Sequence, residues 1–214
     1  KALETISPFY KKNQDHFHTA LLFTRVLMRN NNYKQAEKAL KGIHVLPSEG
    51  NRDGQRLHRQ TKLMLAIEAL SKNNIKLAKQ KIFEAQLWPR NLGAGKPYEE
   101  NIDSRVEDWL TALIAQKTKD VDTKNEYLKK VATAKRDTSS KDYILQAMAY
   151  YQLGEKQLAD KMFNSWFGVQ RESNVKDWGK SFYNTYKNAE YPFDYEQTKE
   201  IVESIARFEF VRLF

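Results

Sequence analysis

The sequence predicts an all-α fold of about five helix–turn–helix pairs, and three observations carry that expectation. Apolar residues recur at helical spacing through most of the chain, the pattern that lines one face of a helix. Only 8 glycines and 5 prolines occur in 214 residues, too few for a β protein full of turns, while the good helix formers Ala, Leu, Lys, Glu and Gln dominate. A helix, an asparagine turn, a second helix and a stopping proline then follow one another twice in tandem. Superposing Ala36 on Ala78 aligns Tyr33 with Ile75, Leu40 with Ile82 and Pro47 with Pro89, the mark of an internal repeat.

Taken in order, residues 1–13 form a lead-in containing Pro8 and two aromatics. Phe17, Ala20, Leu21, Phe23, Thr24, Leu27 and Met28 predict a helix over 15–29, and Asn30-Asn31-Asn32 a turn. Ala36, Ala39, Leu40 and Ile43 share one face of a helix over 33–45, which Pro47 stops. After a loop with Gly50 and Gly54, a helix is expected over 55–72, a turn at Asn73-Asn74 and a helix over 75–87, ended by Pro89. The run Trp88 to Tyr98, with two prolines and two glycines, is the least helix-like in the chain. Helices follow over 101–118 and 121–134. The turn Asp137-Thr138-Ser139-Ser140 is rich in residues that cap helix starts. Helices over 143–153 and 156–168 flank Gly154. A last pair, about 175–189 and 195–210, is separated by Tyr191-Pro192-Phe193-Asp194, and Phe208, Phe210, Leu213 and Phe214 make the tail apolar. The units are thus roughly 14–47, 52–89, 101–136, 138–171 and 174–212, one helical repeat domain over 14–214.

Several chemistries are excluded or disfavoured. With no cysteine there is no disulfide, thiolate metal site or cysteine nucleophile. No run of eighteen apolar residues exists to form a membrane-spanning helix. The net charge is +9, with lysine in excess of arginine, as expected of solvated helix faces, with weak attraction to acidic partners or anionic surfaces as the alternative; no base-reading pattern accompanies it. Gly93-Ala94-Gly95-Lys96 resembles part of a phosphate loop. However, Arg90 stands where the first glycine belongs, and Pro97 where a metal-binding hydroxyl is required. Glu99, Glu100, Asp103, Glu107 and Asp108 form an acidic cluster. Its position favours stabilisation of a helix start and pairing with Arg90, Lys96 or Arg105 over paired-carboxylate catalysis. His16 and His18 lie two apart and point to different sides of a helix, so no metal site is expected, nor any cofactor. Trp88, Trp109, Trp166 and Trp178 are expected to pack between helices, with a ligand surface around Trp88, Tyr98 or Trp109 as the alternative.

The spacing resembles the tetratricopeptide repeat, a helix–turn–helix unit of about 34 residues. Ala78, Ile82, Ala85 and Pro89 follow that family's second-helix series, and so, more loosely, do Ala36, Leu40, Ile43 and Pro47. Ala159, Phe163 and Trp166 do so in the fourth unit, after Tyr143, Ala147 and Tyr150. The third and fifth units depart from the pattern, and the period is longer and irregular. Over about 46–110, Leu46-Pro47-Ser48-Glu49-Gly50, Leu65-Ala66-Ile67-Glu68-Ala69-Leu70 and the 88–97 run are similar to a repeat region of large bacterial proteins frequent in the Bacteroides group. There the repeats follow an uncharacterised, mutarotase-like, carbohydrate-binding β-sandwich.

The resemblance implies a right-handed α-solenoid whose first helices line a concave face. On that register His18, Leu21, Arg25, Met28 and Arg29 face the groove in the first unit, and Tyr151 and Gln152 in the fourth. The candidate surface therefore comprises these residues with Trp88, Asn91, Lys96 and Tyr98 of the central loop. The expected function is a non-enzymatic interaction module that docks on another protein or on an upstream domain, since the chain starts without Met and is expected to be a piece of a larger, bacterial protein. The alternative is an accessory domain of a carbohydrate-active or carbohydrate-binding protein. Nucleic acid is not expected as a partner, and cytoplasm and periplasm both remain open.

Overall fold

The computed structural model describes residues 2–47, 52–135, 140–188 and 198–204, and among these every regular element is helical. The helices are α1 (Ala2–Lys12), α2 (Phe17–Arg29), α3 (Tyr33–Gly42), α4 (Asp53–Ser71), α5 (Ile75–Ala85), α6 (Arg105–Lys117), α7 (Val121–Ala132), α8 (Ile144–Gln152), α9 (Lys156–Val169) and α10 (Ser173–Asn188). A further helical segment covers 198–204. The chain divides into two compact units, residues 1–102 and 103–214. The expected features at 48–51, 136–139, 189–197 and 205–214, including most of the Asp137–Ser140 turn and the apolar tail, lie outside the described residues.

Four helix hairpins share one turn. Asn31, Asn73, Lys119 and Gly154 adopt positive φ of 58°, 53°, 60° and 85°, each two residues before the next helix begins. In each, the following residue's N–H reaches back to a carbonyl five residues earlier: Asn32 to Leu27 (2.9 Å), Asn74 to Ala69 (2.8 Å), Asp120 to Ala115 (2.9 Å) and Glu155 to Tyr150 (2.9 Å). This is the Schellman closure, which satisfies helix-end carbonyls through one left-handed residue. Asparagine and glycine tolerate that conformation well. At two turns the next residue also caps the following helix: Asn74 Oδ1 accepts from Leu77 N–H and Asp120 Oδ1 from Thr123 N–H, both at 3.0 Å.

In the first unit α4 is the centre. It touches α2, α3 and α5, so 13 of its 19 residues are buried and its apolar residues run almost all round the helix. Ala36, Ala39, Leu40 and Ala78, Ile82, Ala85 supply the facing small-and-large surfaces of α3 and α5. Residues 1–13, expected as a lead-in, contain helix α1. Pro8 supplies no N–H to its ladder, and the helix rests on α2, with Tyr10 stacked on Phe23 at 4.2 Å.

In the second unit α6 and α8 are the most buried helices, and α9 and α10 close over α8. Trp109 is buried, its indole N–H on Thr198 Oγ1 at 3.1 Å. Trp166 is fully buried, donates to the Ser140 carbonyl at 3.1 Å, and lies edge-on to Trp178. Phe163 stacks on Tyr183 at 4.3 Å. A glycine, Gly179, is what lets α10 approach the Trp166 ring: a Cβ there would stand 2.2 Å from the Trp166 Cη2. The helix expected from residue 101 starts at Arg105 instead, because Asp103 folds back to accept the Arg105 backbone N–H at 3.2 Å.

Candidate functional site

The central loop is a clasp within the first unit. Asn91 Nδ2 donates to the carbonyls of Leu40 (3.1 Å) and Ile43 (2.8 Å) at the end of α3, and its own carbonyl accepts from Val45 N–H at 2.8 Å. Leu92 is buried against Gly54 at the start of α4. Gly93 has φ +71° beside Val45, where any side chain would be both strained and crowded. Asn91, a candidate surface residue in the sequence, thus spends its donor inside the fold. Trp88 is half-buried. Lys96 and Tyr98 are exposed, Lys96 pairing with Glu99 and Tyr98 standing 78% free. In the second unit Asp103 instead grips the buried Arg105 (2.6 Å), and Ser104 Oγ donates to Asp108 at 2.8 Å. Burial raises the Asp108 carboxyl above its ordinary range, against the Ser104 hydrogen bond.

The residues expected on the α2 groove separate into two sets. Leu21 and Met28 are buried, the Met28 sulfur accepting from Thr61 Oγ1 of α4 at 3.1 Å. Arg25 is half-buried and tied to Asp53 at 2.7 Å. His18 and Arg29 are exposed, with His18 packed on Phe17. Beside them α1 and α2 frame an open apolar groove of about 500 Å³ lined by Ala2, Thr5, Ile6, Leu22 and Val26. Phe9 of α1 is 66% exposed. In the second unit Tyr151 donates to the Lys187 carbonyl (3.0 Å) and Gln152 Nε2 to Tyr186 Oη (2.8 Å), so both tie α8 to α10. Burial pushes the Tyr186 phenol up, out of reach of ordinary titration.

One cluster has no counterpart in the sequence analysis. Lys62 of α4 reaches Glu37 of α3 and Glu84 of α5, the latter at 2.5 Å. Lys81 of α5 contacts the same two carboxylates at 2.8 and 2.9 Å. Two cations and two anions from three helices close a square, with the Lys62 side chain 7% exposed. Burial alone would raise the Glu84 carboxyl, but hydrogen bonds from Lys62, Lys81 and Gln80 outweigh it and bring it down to about 2. Glu37 is lowered against burial in the same way, and Lys81 is raised against it. His58 sits beside the square with Nε2 on the Glu84 carbonyl at 2.9 Å, and burial lowers its pKa. Only the pair 81 and 84 is at contact spacing within one helix, so sequence periodicity could not have assembled the four.

Among the described residues no three His, Asp or Glu side chains converge as metal ligands, and no helix is long and apolar enough to cross a membrane. Comparison with protein-family models, curated proteins and solved structures gives no match.

Proposed function

We propose that the chain is a tetratricopeptide-like α-solenoid and a non-enzymatic module for holding a protein, either another chain or a further domain of the same polypeptide. The observation that carries this reading is the turn repeated at Asn31, Asn73, Lys119 and Gly154. One hairpin geometry used four times is what a stacked array needs, because each pair buries its apolar face only against its neighbours. Contacts of α2 with α4, α6 with α8 and α8 with α10 join first helix to first helix and support the same reading. Such arrays present extended surfaces to peptides and domains.

On this reading the partner's contact in the first unit is the α1–α2 groove. Leu22 supplies exposed apolar area there, Phe9 adds more on α1, and His18 and Arg29 are exposed polar residues of α2, the composition of an interface patch. A photo-crosslinking residue at Leu22, in the protein expressed by its native host, tests it. A discrete protein adduct that vanishes with Ile6→Asp is the expected result. Adducts no stronger than those from a probe at Glu126, exposed on α7, would refute it.

A further inference from the structure

All of the net charge of +9 falls in the first unit. Residues 1–102 hold 18 of the 36 lysines and arginines but 9 of the 27 aspartates and glutamates, whereas residues 103–214 hold 18 of each. The ionic square concentrates the imbalance further. Glu37 is the sole acidic residue of α3 and Glu84 that of α5, and both turn toward Lys62 and Lys81. The outer faces keep Lys34, Lys38 and Lys41 on α3 and Lys76 and Lys79 on α5. All five are exposed, and none has an ion-pair partner among the described residues. The Lys81–Glu37 contact sets the two helices side by side. The lysines therefore share a face two helices wide and about 10 Å long, at about 1.5 Å per residue over 34–41. Phe83, one helical turn beyond Lys79, projects from the same stripe and is 64% exposed.

We infer that this face seats the protein on an anionic lipid surface. The charge is presented by lysines alone, flexible point charges without the fork by which arginine grips a single phosphate or a base edge. That arrangement matches a diffuse planar array of headgroups. Along a nucleic-acid duplex a phenyl ring among lysines meets only sugar and phosphate, but at a bilayer it enters the headgroup–acyl boundary while the lysines meet anionic lipids. Each lysine near such a surface contributes about fivefold in affinity, so five give on the order of a thousandfold. The interaction is screened by salt, because every participating charge is exposed.

The test is co-sedimentation of the full chain with vesicles of phosphatidylcholine alone or with about 30% phosphatidylglycerol, in low salt and in about 0.5 M NaCl. Binding to the anionic vesicles in low salt only is expected. Replacing Lys34, Lys38, Lys41, Lys76 and Lys79 together by Gln should weaken it more than about a hundredfold, with an unchanged thermal melt. Phe83→Ser should weaken it several-fold, about what a partly buried phenyl contributes. The triple replacement Lys117→Gln, Lys129→Gln and Lys180→Gln in the second unit should leave it unchanged. No binding to anionic vesicles, equal binding to neutral ones, or indifference to the five replacements overturns the inference. Tighter binding to duplex DNA or to polyglutamate, independent of Phe83, would assign the face to nucleic acid or to an acidic protein instead, and overturn it equally.

Discussion

Replacing Gly179 by alanine sets two effects of opposite sign against each other. In an exposed helix interior alanine is favoured over glycine by about 1 kcal/mol. Here the new methyl would stand 2.2 and 2.3 Å from Trp166 Cη2 and Cζ3, where carbon atoms need roughly 3.5 Å or more. Relief requires a shift of more than about 1 Å in α10 or in the Trp166 ring. That ring is fully buried and held by its Ser140 hydrogen bond and its neighbour Trp178. Overpacking of this kind costs about 3 kcal/mol at the upper end of its usual range. The net expectation is a loss of about 2 kcal/mol, or a fall of roughly 8 °C in the melting of the second unit. Calorimetry with tryptophan fluorescence as a second probe measures it. Gly168→Ala on α9, whose Cβ would meet nothing within 4 Å, is the control and should be neutral or stabilising. Trp166→Leu in the Gly179→Ala background should cost less than in the parent, since the smaller side chain relieves the overlap. A Gly179→Ala protein as stable as the parent, or additivity in that double-mutant cycle, would refute the packing argument.

Lys62→Met should destabilise the first unit by about 3 kcal/mol, because two carboxylates lose a buried counter-charge; urea denaturation measures it. The parent should lose stability in two steps on acidification. His58 is held neutral below its ordinary 6.5, so its contribution is complete above that pH and is lost as pH falls through its lowered value. Glu84, ordinarily 4.5 and here about 2, gives a second loss between those two pH values, and Glu37, lowered from 4.5, adds to it. The second step should be much smaller in Lys62→Met, as denaturant midpoints across the pH range will show. Asn91→Ala should cost about 2 kcal/mol in the same assay by leaving the Leu40 and Ile43 carbonyls short of a donor. Lys119→Gly should stabilise the second unit by about 1 kcal/mol, since lysine at φ 60° carries a strain that glycine lacks; a lower melting temperature would contradict the shared-turn geometry.

Helix existence was legible in the sequence because apolar residues recur at helical spacing, on one face of α2, α3 and α5 and nearly all round α4, and the Asn31, Asn73 and Gly154 turns were legible because those residue types suit a left-handed conformation. The break at Lys119 was placed as well, between helices expected over 101–118 and 121–134, but its left-handed conformation was not, since lysine carries no turn signature and the Asp120–Ala115 closure imposes it. Helix ends shifted by several residues wherever a side chain folded back, as at Asp103. Asn91 looked like a surface amide, since its acceptors Leu40 and Ile43 lie about fifty positions away in sequence. Leu21 and Met28 were assigned to a groove, but α4 covers that side of α2. The charge asymmetry is present in the composition of the two halves, yet it acquires meaning only with the division after Ile102 and the inward turn of Glu37 and Glu84.

The fourfold turn also fixes where the chain can accept new material. Within each hairpin the link holds one length, and one inserted residue at 30–32 would rotate α3 by about 100° about its axis. The same insertion that swings Lys38 toward the core would carry Leu40 out to water. Between hairpins the connections already differ widely, spanning 43–52, 86–104 and 133–143. Those joints, and not the hairpin tips, are where a peptide tag, a reporter or a grafted recognition loop can be carried, provided that in 86–104 the insertion leaves the Asn91–Gly93 clasp on Leu40, Ile43 and Val45 intact.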